Sequence, residues 1–256
     1  MQNIITSKQY FPEYSQQIGH KISELIARFD FSEHAVDLDY FTMSSAVYSS
    51  NIEGNSIDLN SFMNYQLSKE KFKAGKEVQE IENLVEAYKL AQEHSLTEPN
   101  LLKAHSILSK TLLIKSKRGK YRIEPVGVFG KEGLVYLAVE PEFVKQEMTT
   151  FFSDIQKLID TNLSAEEVFY FASLIHLRFV HIHPFRDGNG RTARLLEKWF
   201  IAKKFGRQLW KIPSEKYYKD NQSRYYSAIS MGANFHMLNY GKCLDFLVML
   251  PNCLLH

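Results

Sequence analysis

Cysteines, long apolar runs and excess charge are all scarce in this sequence, and each shortage argues against a class of protein. The only two cysteines, Cys243 and Cys253, do not form a Cys-x-x-Cys pair, so a disulfide framework or a thiolate zinc site is not expected. No apolar run approaches the length that spans a membrane. A net charge of +2 over 256 residues provides no general basic surface for nucleic acid.

Targeting signals and repeats are also lacking. Residues 1–8 have no basic start followed by an apolar core, so they are not a secretory signal. We therefore expect a cytoplasmic protein that binds neither membrane nor nucleic acid. No Gly-x4-Gly-Lys-[Ser/Thr] P-loop occurs, and we find no internal repeat or low-complexity segment. The length allows one large domain or two small ones, with enough surface to bury a core.

What the sequence does contain is one dense group of polar residues at 183–194, between two apolar helical patterns. It reads His-Pro-Phe-Arg-Asp-Gly-Asn-Gly-Arg-Thr-Ala-Arg. Glycines before a helix let backbone N–H groups point at an anion, and the helix N-terminus adds its positive end. Asp187 offers oxygen ligands to a hard divalent cation. Arg191 and Arg194 reach one face of the following helix, so the segment predicts a phosphate clamp with a histidine base beside it.

Other interpretations stay open on these residues alone. The Asp-Gly and Asn-Gly pairs at 187–190 are turn dipeptides, which a hairpin or a plain connection between helices also uses. Three histidines with Asp187 would suit a metal-site hydrolase, although that leaves the rest of the loop unexplained. These histidines are His176, His181 and His183. In a non-catalytic helical interaction module, the loop would be only structural.

The segment resembles, at every defined position, the signature His-Pro-Phe-x-Asp-Gly-Asn-Gly-Arg-x-x-Arg of the Fic family of nucleotidyl transferases, most of which transfer AMP. The resemblance implies a protein adenylyltransferase that uses ATP and Mg²⁺ and modifies a Ser, Thr or Tyr hydroxyl of a target protein. Self-modification stays open, because several Tyr and Ser lie on segments expected at the surface. His183 would be the catalytic base and Asp187 the metal ligand. The nucleotide would be bound by Gly188, Asn189, Gly190, Arg191 and Arg194. Transfer of another nucleotide, removal of AMP, and homo-oligomerisation stay open.

A second motif lies upstream, where residues 37–53 predict a helix that ends at Gly54. Glu53 would face the negative end of the helix dipole, which costs up to about 1 kcal/mol. Either this glutamate is solvated, or it pairs with a cation elsewhere; Ser49, one turn earlier, is a candidate hydrogen-bond partner. Ser49-x-x-x-Glu53-Gly54 resembles the inhibitory helix of some Fic proteins, which implies that Glu53 binds Arg194 and blocks the terminal phosphate.

The remaining patterns predict a mainly α fold with one β-hairpin. Valines and aromatic residues with glycines between them at 119–140 predict strands near 125–129 and 134–138. The family resemblance implies a Fic-type helical bundle, whose hairpin forms a flap over the active site and pairs with a target segment. Apolar spacing and caps predict further helices over 15–30, 56–70, 75–93, from Thr97 to about Leu112, from Pro141, and over 165–181, 191–204 and 242–255.

We expect three regions along the chain. An N-terminal helical region covers 1–95 and includes the inhibitory helix at about 37–53. A catalytic core covers 96–206 and includes the hairpin at about 119–140. C-terminal helices at 207–256 pack on this core.

Two further segments allow a structural and a functional interpretation. His105 lies among apolar positions and is expected to be a core histidine rather than a ligand. The tyrosine-rich segment 214–235 is either half core or, by the family resemblance, part of the nucleobase pocket. Asn221 and Tyr225 are the nucleotide-binding candidates in that segment.

Overall fold

Helices make up most of the fold, and one two-stranded sheet lies among them. The computed structural model describes residues 4–18, 21–27, 38–68, 75–130 and 133–255. The helices are α1 (Phe11–Ile18), α2 (Lys21–Ala27), α3 (Leu38–Ile52), α4 (Leu59–Ser68), α5 (Lys76–Glu93), α6 (Glu98–Leu108), α7 (Pro141–Asp160), α8 (Ala165–Ile182), α9 (Asn189–Phe205), α10 (Ser214–Asp220), α11 (Gln222–Ile229), α12 (Leu244–Leu247) and α13 (Met249–Asn252). The strands are β1 (Gly127–Gly130) and β2 (Gly133–Leu137). The predicted fold class is confirmed.

Helices α8 and α9 pack side by side at the centre of the bundle. Every side chain of α8 from Val168 to Ile182 is buried, so this stretch presents no polar face to solvent. The predicted capping box begins the helix: the Ser164 hydroxyl accepts from the N–H of Glu167, whose carboxylate accepts from the N–H of Ser164. The loop after α8 therefore starts from the most buried part of the molecule.

The other helices surround this pair. Helices α1, α2 and α7 pack on α8, whereas α5 and α6 pack on each other and on α9. Helix α3 packs on α5, α9 and α10. This arrangement brings the C-terminal end of α3 to the first turn of α9.

Two predicted helices each correspond to more than one observed element. The helix predicted over 15–30 corresponds to α1 and α2; residues 19–20 and 28–30 lie outside the described residues. The helix predicted over 242–255 is broken into α12, α13 and a final 3-10 turn. Pro251 has no N–H to donate to the carbonyl of Leu247, which accepts instead from the Ser173 hydroxyl at 3.4 Å.

The hairpin lies against the end of α8. Strands β1 and β2 pair antiparallel, with Val128 opposite Tyr136, within a few residues of the predicted positions. The hydroxyl of Tyr136 donates to the carbonyl of His181 at 2.7 Å. Phe129, by contrast, is 74% exposed. The hairpin is thus fixed beside the candidate loop on one side and presents apolar side chains to solvent on the other.

Both cysteines lie in the C-terminal helical region and are buried as free thiols. Burial raises the pKa of the Cys243 thiol to about 12, so it stays protonated at neutral pH. Among the helices described, none combines the length and the apolar character that crossing a membrane requires.

Candidate active site

The loop between α8 and α9 begins at His183, whose backbone is left-handed with φ 52° and ψ 56°. Few residues other than glycine adopt this conformation. Its Nδ1 lies 3.1 Å from the carbonyl oxygen of Val180, a contact that requires the proton on Nδ1 and leaves Nε2 as the basic nitrogen. Burial lowers the pKa of His183 below its ordinary value of 6.5, so the ring is neutral at pH 7.

Arg122 holds the backbone of His183 from the side of the hairpin. Its Nε donates to the carbonyl of His183 at 2.7 Å, and Nη2 donates to the carbonyls of Ile182 and Val139. The N–H of Arg122 donates to the carbonyl of Pro184 at 2.9 Å. The sequence offered no signal for this role, because Arg122 lies outside both motifs. One buried side chain therefore joins the candidate base to the segment that leads into β1.

The middle of the loop is held by a stacked pair of rings. The rings of Phe185 and His105 stack with centroids 3.5 Å apart. His105 Nε2 donates to the carbonyl of Asp187, and Nδ1 accepts from the N–H of Gly119, both at 3.0 Å. Burial lowers the pKa of His105 to about 4, so it is neutral, as this pattern requires. His105 is the expected core histidine, and it also fixes the loop.

Helix α9 begins at Asn189, two residues earlier than predicted, directly after Gly188 with φ 82°. Backbone N–H groups in the first turn of a helix have no acceptor inside the helix and can bind an anion. The Asn189 side chain is engaged in two hydrogen bonds with the backbone of Phe185. The N–H of Gly188 donates to Oδ1 of Asp187 at 2.6 Å, and the Asp187 side chain is half exposed. The turn thus places N–H groups that can bind an anion beside a half-exposed carboxylate.

Arg191 is held by a glutamate that the sequence did not predict. Its Nη1 pairs with Glu80 of α5, and its Nη2 lies 3.5 Å from Oδ1 of Asp187. The buried Nε has no hydrogen-bond partner within the described part of the chain. Burial raises the pKa of Glu80, an effect that the charge of Arg191 offsets only in part. Nothing in the pattern of α5 separates Glu80 from Glu77, Glu82 and Glu86.

Arg194 is fully buried, and each of its guanidinium nitrogens has a partner. Nε donates to the Ser49 hydroxyl at 2.8 Å, and Nη2 donates to the Ser49 carbonyl at 3.0 Å and to Oε1 of Glu53 at 2.7 Å. Nη1 donates to the hydroxyl of Tyr225 at 3.2 Å. Ser49, the candidate partner of Glu53, thus accepts from Arg194. Tyr225 is buried beside the loop, and its role in nucleotide binding stays a prediction.

The carboxylate of Glu53 lies over the first turn of α9. A Cβ atom on Gly190 would come within 2.3 Å of its Oε1, so this close approach needs a glycine. Gly54 has φ 98°, as predicted for the residue that ends α3. Burial alone would raise the pKa of Glu53, but the charges of Arg194 and Arg191 outweigh it and lower the pKa. The helix N-terminus and the arginines thus compensate for the unfavourable end of α3.

Side chains from α10 and α11 hold the last carbonyls of α3. Lys219 Nζ donates to the carbonyl of Asn51 at 3.1 Å. Gln222 Nε2 and the Tyr226 hydroxyl both donate to the carbonyl of Ile52, at 2.7 and 2.8 Å. Carbonyls in the last turn have no partner inside a helix, so these donors fix the end of α3 and, with it, Glu53.

The histidines of the alternative metal site have separate partners. His176 lies with Nδ1 2.8 Å from Oε2 of Glu197 and Nε2 2.9 Å from the hydroxyl of Tyr225. His181 lies with Nδ1 3.0 Å from the hydroxyl of Tyr240. No three His, Cys, Asp or Glu side chains within the described ranges are placed together to hold a metal ion. The structure therefore does not support the three-histidine site.

Asn221 follows α10, and its amide donates to the carbonyl of Tyr217 at 3.0 Å. It lines a surface cavity of about 540 Å³ together with Lys216 and Asp220, and no residue of 183–194 lines that cavity. The assignment of Asn221 to nucleotide binding stays a prediction.

Comparisons with known proteins relate this geometry to one family. Residues 95–201 match the model of the Fic/DOC family. The chain is 35% identical over 83 residues to Protein adenylyltransferase Fic of Drosophila virilis, and 32% identical over 106 residues to Protein adenylyltransferase fic-1 of Caenorhabditis briggsae. These matches cover 32% and 41% of this chain, but only 15% and 19% of those proteins. A Fic family protein from Desulfovibrio desulfuricans G20 has a similar fold, with a TM-score of 0.78 at 23% identity over 99% of this chain and 75% of that one.

Proposed function

Through residues 95–201 this chain belongs to the Fic/DOC family, and on that premise we propose that it is a protein adenylyltransferase. It moves AMP from ATP to a hydroxyl side chain of a protein target, or of its own chain. The observation that carries the proposal is that one loop brings together a neutral histidine, a half-exposed carboxylate, a helix N-terminus and two arginines. These are the groups that nucleotidyl transfer needs.

His183 acts as the general base. Because the Val180 carbonyl accepts from Nδ1, Nε2 is the nitrogen that takes the proton from the attacking hydroxyl. The hydroxyl oxygen bonds to the α-phosphorus of ATP, the bond from that phosphorus to pyrophosphate breaks, and His183 later releases its proton. The lowered pKa keeps the ring unprotonated at neutral pH. Loss of the ring should cost about 10²- to 10⁴-fold in rate, the usual effect of removing a general base.

The first turn of α9 and the two arginines bind the phosphates. The N–H groups of Asn189 and Gly190 point out of the helix end and form a cradle for phosphate oxygens. Arg191 binds on the β-phosphate side and Arg194 binds the γ-phosphate, each through a planar pair of donors. The N–H of Gly188 joins this cradle only when it leaves Asp187, to which it donates in the present state.

Asp187 suits a Mg²⁺ site. Its carboxylate is half exposed at the edge of the phosphate site, and it offers the oxygen ligands that Mg²⁺ prefers. Bound there, Mg²⁺ supplies positive charge that stabilises the leaving pyrophosphate. Asp187 is itself held in place by the hydrogen bond from His105 to its carbonyl.

Glu53 inhibits this site in cis. Its carboxylate takes a donor of Arg194 and lies over Gly190, in the position that we assign to the terminal phosphate. ATP therefore binds productively only when the end of α3 moves away. Gln222 and Tyr226, which hold the last carbonyl of α3, oppose that movement.

Transfer of a label from ATP to protein tests the proposal. Wild type, Glu53→Gly and the double variant Glu53→Gly/His183→Ala are incubated with α-labelled ATP and Mg²⁺. We expect label on Glu53→Gly alone; equal labelling of the double variant would refute His183 as the base. If no protein is labelled, the other nucleoside triphosphates and AMP-modified protein are tried as substrates. Activity there would identify a different nucleotidyl transferase or an enzyme that removes AMP, and silence would overturn the transferase function.

A further inference from the structure

The two arginines of the loop are held in opposite ways. A guanidinium presents one planar edge made of Nε and Nη2, which matches two oxygens of a phosphate. In Arg194 this edge is filled by α3, since Nε and Nη2 donate to Ser49 and Glu53. In Arg191 the same edge is nearly without partners: Nε is buried and has no hydrogen-bond partner among the described residues, and Nη2 is 3.5 Å from Asp187.

Glu80 accounts for this difference, because it pairs with Arg191 through Nη1, on the far side of the guanidinium. The pair is well shielded from water, with 7% of the Arg191 side chain and 13% of the Glu80 side chain exposed. A glutamate that competed with a phosphate would occupy the Nε–Nη2 edge, as α3 does on Arg194. Glu80 instead holds the guanidinium through Nη1 and leaves Nε without a partner among the described residues.

We propose that Glu80 is a positioning residue, which holds Arg191 by Nη1 and presents its Nε–Nη2 edge to the β-phosphate of the nucleotide. The inference rests on the proposed transferase function. Two carboxylates with different effects then reach the loop from the N-terminal half of the chain. Glu53 blocks one arginine, whereas Glu80 prepares the other.

Nucleotide binding is measured in the Glu53→Gly background, where Arg194 is free of its carboxylate. The ligands are a non-hydrolysable ATP analogue with Mg²⁺ and, as a comparison, AMP, which has no β-phosphate. The variants are Glu80→Ala and the near-isosteric Glu80→Gln, whose amide oxygen still accepts from Nη1. The matched control is Glu86→Ala on the same helix, which removes an exposed ion pair with Lys110.

We expect Glu80→Ala to weaken binding of the ATP analogue by about 10- to 100-fold, the range for one hydrogen bond to a charged group. AMP binding should stay unchanged. The affinity of Glu80→Gln for the ATP analogue should lie between those of Glu80→Ala and the Glu53→Gly parent. Glu86→Ala should bind the analogue as tightly as this parent. In turnover with ATP, KM should rise more than kcat falls. If Glu80 had a purely structural role, its loss would weaken binding of AMP and of the ATP analogue alike. AMP binding therefore distinguishes a structural role from a positioning role.

Three results would overturn the inference and leave the proposed function standing. Unchanged binding of the ATP analogue in both Glu80 variants would show that Glu80 does not position Arg191. Tighter binding would show that it competes with the phosphate. If Glu80→Ala does not fold, Glu80→Gln alone is measured. An equal loss of affinity for AMP and for the ATP analogue would then contradict the inference. A Glu53→Gly parent that binds no nucleotide would instead refute the proposed function, and this inference with it.

Discussion

Replacing Glu53 with glycine should lower the stability of the free protein and increase its stabilisation by ATP. Arg194 would keep Ser49 and Tyr225 but lose the carboxylate of Glu53, which lies 2.7 Å away. Breaking a fully buried ion pair costs about 3–5 kcal/mol. Because 27% of the Glu53 side chain is exposed and neutral acceptors remain, we expect about 1.5–3 kcal/mol, the range for a hydrogen bond to a charged group.

Thermal unfolding with and without Mg²⁺ and ATP measures both effects. At about 2–4 °C per kcal/mol for a chain of this size, Tm of the free variant should fall by about 3–12 °C. In the wild type ATP must displace the carboxylate, whereas in the variant it meets an arginine that is free of this carboxylate. Each tenfold gain in affinity adds about 1.4 kcal/mol of stabilisation at saturating ligand. ATP should therefore narrow the difference in Tm between Glu53→Gly and the wild type.

Glu53→Gln is the matched control for this experiment. It keeps the length of the side chain and one hydrogen-bond acceptor but removes the charge, so its Tm and its response to ATP should both be intermediate. If Glu53→Gly is as stable as the wild type and responds equally to ATP, the contact with Arg194 carries no free energy. The assignment of Glu53 as an inhibitor would then be wrong.

Three further predictions follow from the same contacts. The kcat/KM of Glu53→Gly should be level near pH 7 and fall only below about 6.5, because burial lowers the pKa of the His183 base; an acid limb above pH 7 would contradict this. The free energy of unfolding should fall as the pH is lowered from 6.5 to 4, because His105 is protonated in the unfolded chain but stays neutral in the folded one, where its pKa is about 4. Calorimetry of His105→Gln should show a shallower fall. The double variant Gln222→Ala/Tyr226→Phe should raise basal self-labelling above that of the wild type, because it frees the last carbonyl of α3; unchanged labelling would show that these donors do not restrain the helix.

Local signals in the sequence predicted the parts of the fold that depend on neighbouring residues. The capping box at Ser164 and the N-cap at Thr97 are both present, since each needs only a side chain and a backbone N–H three residues away. Gly54 follows the end of α3 with a left-handed backbone, another local effect, because glycine has no Cβ that would oppose this conformation. The contact of Glu53 with Arg194 spans 141 residues, and it was predicted only through the family motif.

Contacts made across the fold without a motif were not predictable. Glu80 is one of several glutamates on α5, and only the packing of α5 on α9 selects it as the partner of Arg191. Arg122 reaches the backbone of His183 through the fold, and a backbone acceptor leaves no mark in the sequence. The break at Val248, three residues before Pro251, was readable in principle, because proline removes a helical donor.

The central claim is that the α-phosphorus of ATP is attacked and AMP is transferred. We would incubate Glu53→Gly with ATP labelled at the α-phosphate and, separately, at the γ-phosphate, and follow label on protein together with release of pyrophosphate. We expect the α-label to join the protein, the γ-label to leave in pyrophosphate, and the protein to gain the mass of one AMP group per modified site. A γ-label on the protein, or ATP consumption that yields ADP and free phosphate, would contradict it.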